Sequence, residues 1–255
     1  MTLHNDTITG YKVFEPDFTC RDYDFQGVGT THTYEGTPVL CESGFHFCTT
    51  LQDCFKYYDI NPDMIICEVT ATGYTDAEEG CSKRTCQSLS VIRQMPLDEV
   101  AQHITESMYA YLWARFIGNT DIMINRITDS KWAYYWAWYI GNTDIMINRI
   151  TNSEWAYLWA RDIGNRDIMI DRITESKWAY GWSKNIGNQD IMIDRVTNSE
   201  YAYYWAKNIG NTDIMIDRIT NSHYAYYWAR DIGNRDIMIA RYPDIEGWLA
   251  QGYIG

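Results

Sequence analysis

An interval of 23 residues governs the second half of the chain and restricts its fold more than any other pattern. Glycine recurs at positions 118, 141, 164, 187, 210 and 233. The interval defines six tandem copies, at residues 105–127, 128–150, 151–173, 174–196, 197–219 and 220–242. In repeat proteins of this kind, each unit buries its apolar face against a neighbouring unit. The sequence therefore predicts an all-α solenoid of two-helix repeats over residues 96–242.

Each copy contains its own signals for the start and end of helices. In the third copy, Thr151 and Glu154 are spaced as a capping box, which predicts the start of a first helix. An apolar stripe at helical spacing follows. Gly164 predicts the end of this helix, and Asn165 predicts a cap for a second, shorter helix over Ile168–Ile173. No residues remain for a linker between copies.

Columns of equivalent residues indicate which side chains form the core. One tryptophan column lies on the apolar stripe, at positions 113, 136, 159, 182, 205 and 228. Side chains of this size on such a stripe are predicted to be buried. Positions that differ between copies, such as Leu112 and Arg115, are predicted to face the solvent.

Two polar columns occur in every copy and have no obvious place in the core. The tyrosines are Tyr111, Tyr134, Tyr157, Tyr180, Tyr203 and Tyr226, and the arginines are Arg126, Arg149, Arg172, Arg195, Arg218 and Arg241. In one interpretation each arginine pairs with an aspartate of an adjacent copy. In the other, the two columns form an interaction surface for an anionic or aromatic partner, which we call the Arg–Tyr ridge.

The first part of the chain has a different organisation. Residues 1–95 lack helical periodicity and are predicted to form a small acidic α+β domain. Strands are predicted at Thr9–Phe14, Phe45–Cys48, Met64–Thr72 and Leu89–Gln94, with a helix at Thr50–Tyr58. At the other end, Pro243 interrupts the repeat, and residues 243–255 are predicted to cap the last copy.

Charge is unevenly distributed along the chain. Residues 1–104 contain 16 acidic and 6 basic side chains, whereas residues 105–242 contain 16 and 15. Acidic surfaces repel phosphate backbones, so nucleic acid is an unfavoured partner. No apolar run approaches membrane-spanning length, and Met1–Gly10 lacks the pattern of a secretory signal. We therefore expect a cytoplasmic protein that binds no membrane and exists as a monomer or small oligomer.

The seven cysteines are Cys20, Cys41, Cys48, Cys54, Cys67, Cys81 and Cys86. Without a secretory signal, they are predicted to be reduced thiols. The sequence contains no C-x-x-C pair, so neither a metal site nor a cofactor is predicted. It also lacks a nucleophile elbow, a phosphate loop and a zinc-protease motif, so no catalytic residue is assigned.

Phrases of the first part resemble an uncharacterised domain family that is common in bacteriophage and prophage proteins. They are, in order, YKVFEPDFTCRDYDF, LCESGFHFCTTLQDCFKYY, CEVTATG and SLSVIRQM. The resemblance covers residues 10–95. It implies a phage or prophage origin and a bacterial cytosol as the location, and it implies no established activity.

The segment from Gly44 to Gly73 is also similar to the middle of poly-ADP-ribose-polymerase-like transferases. Those enzymes hold the NAD ribose with a histidine, stack a tyrosine on nicotinamide and polarise the ribose with a glutamate. The resemblance implies a nucleotide pocket around Tyr11, His46 and Tyr57.

This chain departs from the transferase pattern at each catalytic position. Its first strand, Tyr11–Phe14, contains no histidine, and His46 stands where the tyrosine is expected. The stretch that should supply the glutamate contains Gln87 and no carboxylate. The resemblance therefore implies a degenerate relative without catalysis.

Three functions follow from these observations. The first is a phage- or prophage-encoded interaction scaffold that binds a host protein, such as a defence factor, and performs no chemistry. The second is nucleotide binding at Tyr11, His46 and Tyr57. The third is nucleic-acid binding through the Arg–Tyr ridge, which the near-zero net charge of residues 105–242 disfavours.

Overall fold

The computed structural model describes residues 3–77 and 79–252 and shows a β-rich N-terminal part followed by helices, a mixed α+β protein. The chain divides into two compact units, residues 1–149 and 150–255. The predicted boundary between residues 95 and 96 lies inside the first unit and stays a prediction. Among the described residues, no helix has both the length and the apolar character needed to span a bilayer.

Antiparallel strands form the β-rich part of the first unit. They are β1 (Leu3–His4), β2 (Ile8–Phe14), β3 (Thr19–Cys20), β4 (Tyr23–Asp24), β5 (Thr31–Thr33), β6 (Phe45–Cys48), β7 (Ile65–Thr75) and β8 (Lys83–Gln94). The main sheet has the order β1-β7-β2-β6-β8-β5, and β7 also pairs with β8. Strands β7, β2, β6 and β8 therefore form a closed ring of hydrogen-bonded strands. Strands β3 and β4 pair separately.

The predictions for this part are confirmed for its four main strands. A buried cluster that includes Phe14, Phe47, Val69 and Leu89 fills the interior, as the apolar residues of these strands require. The predicted helix at Thr50–Tyr58 is a 3-10 helix, Leu51–Lys56. Strands β1, β3, β4 and β5 were not predicted, because two or three residues are too few for a periodic pattern.

Side-chain contacts join the β-rich part to the first helices within the same compact unit. Helix α1 (Leu97–Gln102) follows β8 directly. The Gln52 side chain accepts a hydrogen bond from Thr105 N at 2.6 Å and donates one to Glu106 Oε1 at 2.7 Å. Phe55 of the 3-10 helix packs against Trp113, with ring centroids 6.1 Å apart.

The helices after α1 recur with the 23-residue interval of the sequence. The longer ones are α2 (Ser107–Phe116), α4 (Ser130–Tyr139), α6 (Ser153–Asp162), α8 (Ser176–Asn185), α10 (Ser199–Asn208) and α12 (Ser222–Asp231). The shorter ones are α3 (Thr120–Met123), α5 (Thr143–Met146), α7 (Arg166–Met169), α9 (Gln189–Met192), α11 (Thr212–Met215) and α13 (Arg235–Arg241). Helices α3, α5, α7, α9 and α11 continue into 3-10 turns at Ile124–Arg126, Ile147–Arg149, Ile170–Arg172, Ile193–Arg195 and Ile216–Arg218.

The predicted capping box is wrong by one residue. Asn152, rather than Thr151, is the N-cap of α6, and its side chain accepts a hydrogen bond from Trp155 N at 3.0 Å. At the other end, Gly164 has a φ of +121° and donates its N–H to Trp159 O, as the predicted helix end requires. Asn165 adopts the left-handed conformation before α7 and makes no side-chain cap. Its main-chain oxygen accepts from the next helix instead.

The predicted tryptophan core is confirmed within each unit. The six column tryptophans are 0% exposed, and the methionines of the shorter helices are also fully buried. The indole N–H groups of this column have no hydrogen-bond partner. Shape and apolar area therefore determine the choice of tryptophan at these positions.

Helix α14 (Ile245–Gln251) follows the last repeat and lies in the predicted cap. It packs on α12 in the second unit, where the Trp248 and Tyr226 rings are 6.3 Å apart. The capping role of residues 243–255 stays a prediction, and residues 253–255 lie outside the described part of the chain.

The arginine column connects each repeat to the chain before it. Within the second unit, Arg195 Nη1 donates to the main-chain oxygens of Ile170 and Ile173, the latter at 2.9 Å. Arg218 Nη1 donates to Ile193 O and, at 2.7 Å, to Val196 O. Ile193 O also accepts from Val196 N at 3.3 Å, so the guanidinium adds a second, side-chain donor at the end of each short helix.

We expect Arg218→Met to destabilise the helical part by about 2 kcal/mol, because hydrogen bonds from charged groups contribute about 1.5–3 kcal/mol. Urea unfolding followed by tryptophan fluorescence measures this, since every tryptophan lies beyond residue 112. Arg235→Met, at an exposed arginine of α13, is the control and should leave the midpoint unchanged. Equal midpoints for both variants would contradict a structural role for the column.

Candidate functional site

A cavity of about 730 Å³ opens in the β-rich part of the first unit. Residues of β2, β6 and the 3-10 helix line it, together with the segments around β3, β4 and β5. All three residues of the predicted nucleotide pocket, Tyr11, His46 and Tyr57, are among them. Its volume falls within the range of about 300–1,000 Å³ that is usual for small-molecule sites.

The cavity combines aromatic and cationic side chains. Its tyrosines are Tyr11, Tyr23, Tyr34, Tyr57 and Tyr58. The basic residues are Lys12, Arg21 and Lys83, and the acidic residues are Asp22 and Glu42. Aromatic faces favour a planar ligand group, and the cations favour an anionic one. This composition contrasts with the acidic sequence around it.

His46 lies on β6 in the hydrogen-bonded ring of strands. Its Nε2 atom accepts a hydrogen bond from Cys41 N at 2.9 Å. Burial, followed by the charges of Lys12, Lys83 and Arg21, lowers the pKa of His46 from 6.5 to about 4. The ring is therefore neutral at pH 7, and its single proton resides on Nδ1. His46 can donate a hydrogen bond to a ligand, but it is a poor base.

Lys12 of β2 is a cavity residue that the sequence analysis does not single out. Its side chain is only 4% exposed, and Nζ donates to His46 O at 2.9 Å. Nζ also lies over the rings of Phe25 and Phe14, 5.0 and 5.6 Å from their centroids. The available signal was a lysine inside an otherwise apolar strand, because such a position usually excludes a charge.

A second lysine connects two further cavity residues. Lys83 Nζ donates to Cys41 Sγ at 3.2 Å and lies 4.2 Å from the centroid of the Tyr57 ring. The Tyr57 hydroxyl is 3.1 Å from Cys81 Sγ. These contacts hold the Tyr57 ring, which is 42% exposed, beside the cavity.

The cysteines that line the cavity form no disulfide bonds. The hydrogen bond with Cys48 and burial hold the pKa of Cys54 well above its usual value, so this thiol is protonated. Among the described residues, no group of three or more His, Cys, Asp or Glu side chains is arranged to hold a metal ion. Gln87 donates to Gly36 O at 3.1 Å and is not one of the lining residues.

The Arg–Tyr ridge residues are engaged within the two units. Five of its tyrosines, all except Tyr180, are 9% exposed or less. Arginine–aspartate pairing between adjacent copies is confirmed for three arginines: Arg195 with Asp171, Arg218 with Asp194 and Arg241 with Asp217. The remaining arginines, Arg126, Arg149 and Arg172, donate to main-chain oxygens in the manner of Arg218. The ridge therefore lacks the accessible tyrosine rings that its predicted role requires.

A different column is exposed on the shorter helices. Its members are Ile145, Ile168, Ile191, Ile214 and Ile237, each 43–47% exposed. Each stands directly before a fully buried methionine, so the methionine side chain points into the core and the isoleucine side chain is exposed to solvent. The sequence signal was an isoleucine that recurs in every copy although the adjacent position already supplies the core residue.

The fold and the cavity define a β-rich N-terminal part with a candidate ligand site, and a family match falls on this part of the chain. Residues 8–103 match the model of a family described as a domain of unknown function, DUF7666. No curated protein and no solved structure matches the chain. The match includes all of residues 10–95, and the family's description gives no activity.

The neutral state of His46 predicts a pH-dependent stability. The unfolded ring binds a proton near pH 6.5 and the folded ring only near pH 4, so acidification through this interval favours unfolding. The shift corresponds to about 3 kcal/mol, which partial solvent contact reduces to about 2 kcal/mol. His46→Gln, which retains an acceptor for Cys41 N, should lose less stability between pH 6.5 and 4.

Calorimetry of both proteins across this range measures the difference, and NMR titration of the histidine rings assigns it. A His46 ring that titrates near pH 6.5 would contradict the burial argument. Parallel loss of stability in wild type and His46→Gln would assign the acid sensitivity to other groups.

Proposed function

We propose that the N-terminal part binds a small anionic ligand of nucleotide size without transforming it. The observation that carries the proposal is the cavity, because it brings Tyr11, His46 and Tyr57 together. Its volume accommodates a nucleotide, its tyrosines offer faces for a planar base, and its basic residues offer partners for an anionic group.

Three features favour binding over catalysis. His46 is neutral and acts as a donor, so it is not poised as a general base near pH 7. Cys54 is held as the protonated thiol, which is a weak nucleophile, and Cys48, whose pKa the hydrogen bond with Cys54 lowers, is buried. Gln87 stands where the transferase-like pattern needs a carboxylate. These features support a degenerate relative of ADP-ribosyltransferases that retains a nucleotide pocket and has lost the chemistry.

Isothermal titration of the full chain with NAD, ADP-ribose, AMP and adenosine tests this function. We expect saturable binding of at least one of them. Tyr57→Ala should weaken it about tenfold, because stacking of a base on an aromatic ring contributes about 1–3 kcal/mol. Tyr204→Ala, at an exposed tyrosine of α10, is the matched control. Absence of heat across the panel would overturn the proposal.

A second candidate function is supported by the exposed isoleucines of the second unit. The helical part would be a solenoid of six 23-residue repeats that presents a surface to a host protein. Ile168, Ile191, Ile214 and Ile237 occupy equivalent positions on successive short helices there. Apolar side chains that recur at exposed positions are typical of protein interfaces. A phage or prophage origin and a bacterial cytosolic partner belong to this proposal.

The interaction surface can be tested with Ile191→Asp and Ile214→Asp combined. Wild type and the control Ile92→Asp, at an exposed residue of β8, should retain the same protein from bacterial lysate. The double variant should lose it, because a charge is poorly tolerated in an apolar contact. Retention of the same protein by all three, or by none, would contradict an interface at these isoleucines.

Nucleic-acid binding is not part of this proposal. The arginines of the Arg–Tyr ridge donate to main-chain oxygens and pair with aspartates, which leaves few donors for phosphates. The charge balance of residues 105–242 gives no compensating attraction.

A further inference from the structure

Lys12 presents a charge that the protein itself does not neutralise. Its side chain is 4% exposed at the middle of β2, opposite Cys67 of β7. An ammonium group has three N–H donors, and one of them is used by His46 O at 2.9 Å. The rings of Phe25 and Phe14 supply the other close contacts.

No carboxylate pairs with this ammonium in the part of the chain that the structure describes. The acidic residues that line the cavity, Asp22 and Glu42, are exposed to solvent. A buried charge without a counter-ion destabilises a fold, because the desolvation cost is not offset by an ion pair. An anion that enters the cavity would provide the missing counter-charge.

Other basic residues that line the cavity also favour an anionic ligand. The charges of Lys12, Lys83 and Arg21 all act on His46, after burial, to lower its pKa to about 4. These three cations line the same cavity as the histidine, although residues 1–104 contain ten more acidic than basic side chains. Because Nε2 of His46 accepts from Cys41 N, the neutral ring carries its proton on Nδ1, which gives this cavity residue an uncharged donor.

We propose that Lys12 and His46 form an anion subsite that binds a phosphate group, with Lys83 and Arg21 contributing to the positive field. The subsite lies in the cavity of the proposed function and rests on it. It specifies the ligand class as a phosphorylated compound, either a nucleotide or free phosphate. Because His46 donates from its neutral form, binding needs no protonation of the ring and persists between pH 6 and 8.

A purely structural role for Lys12 makes different predictions. If the carbonyl and the two phenylalanine rings fully satisfy the ammonium, then removal of the charge should destabilise the domain and leave phosphate recognition unchanged. If the charge is kept for a ligand, an apolar side chain of similar length should be tolerated without ligand, and phosphate recognition should be lost.

Titration of the full chain with adenosine and AMP separates these roles. Wild type should bind AMP about tenfold or more tightly than adenosine, as a charge-assisted hydrogen bond provides. In Lys12→Met this ratio should fall to about one while adenosine affinity is unchanged. Lys131→Met, at an exposed lysine of α4, is the matched control and should retain the wild-type ratio.

The outcomes distinguish the subsite from the proposed function. If wild type binds adenosine and AMP equally, or if Lys12→Met keeps the preference, the subsite is overturned and the nucleotide pocket stands. If inorganic phosphate fails to bind and NAD, ADP-ribose, AMP and adenosine also give no heat, both the subsite and the nucleotide pocket are overturned. Melting temperatures measured with inorganic phosphate distinguish free phosphate from a nucleotide as the ligand. If phosphate raises the melting temperature of wild type but not that of Lys12→Met, the subsite binds the free anion. The same pattern with AMP only assigns it to a nucleotide.

Thermal unfolding without ligand provides the independent readout. Calorimetry suits this measurement, because no tryptophan lies before residue 113. Lys12→Met should melt at the wild-type temperature or above it. If this variant fails to fold, Lys12→Gln, which keeps a donor for His46 O, replaces it in the titrations. A melting temperature well below that of wild type for both variants would assign Lys12 to structure and overturn the proposal.

Discussion

Hydrogen bonds from arginine side chains to main-chain carbonyl groups at the ends of the short helices connect consecutive copies of the repeat within each unit. A helix of four residues such as α7 would be unstable alone. The arginine of the following copy adds side-chain donors at its end, as Arg195 does for Ile170 and Ile173. Short helices and a long, charged side chain are therefore parts of one arrangement.

In the β-rich part, most main-chain hydrogen-bonding groups of the central strands are paired because these strands form a closed ring. Strand β7 pairs with β1, β2 and β8, and the ring that results leaves few free edges. Closure also brings residues of β2 and β6 to one cavity, although more than thirty positions separate Lys12 from His46. The cavity is positively charged inside an acidic region, so its electrostatic character is local. A ligand with a phosphate group would provide the counter-charge that the Lys12 ammonium lacks.

The helical part shows how much periodic sequence predicts. The column tryptophans and the glycine helix ends follow from spacing alone, because both depend on neighbours within one repeat. The N-cap of α6 is Asn152 and not the predicted Thr151. Either residue offers a side-chain acceptor, and only the backbone path selects between them. The spacing of the ridge tyrosines left open whether they form an interaction surface, and packing buries five of the six rings.

The sequence by itself determined the repeat interval, the tryptophan core and the four main strands, because each is encoded in local spacing. Only a resemblance pointed to Tyr11, His46 and Tyr57, which line the cavity. Only the tertiary structure decided the roles of the arginines and of Lys12. The acceptors of Arg218 lie 22 and 25 residues before it, and the acceptor of Lys12 lies 34 residues after it. No local pattern encodes such partners. Whether a charged side chain serves the fold or a ligand depends on which oxygens reach it, and chain folding alone brings those oxygens near.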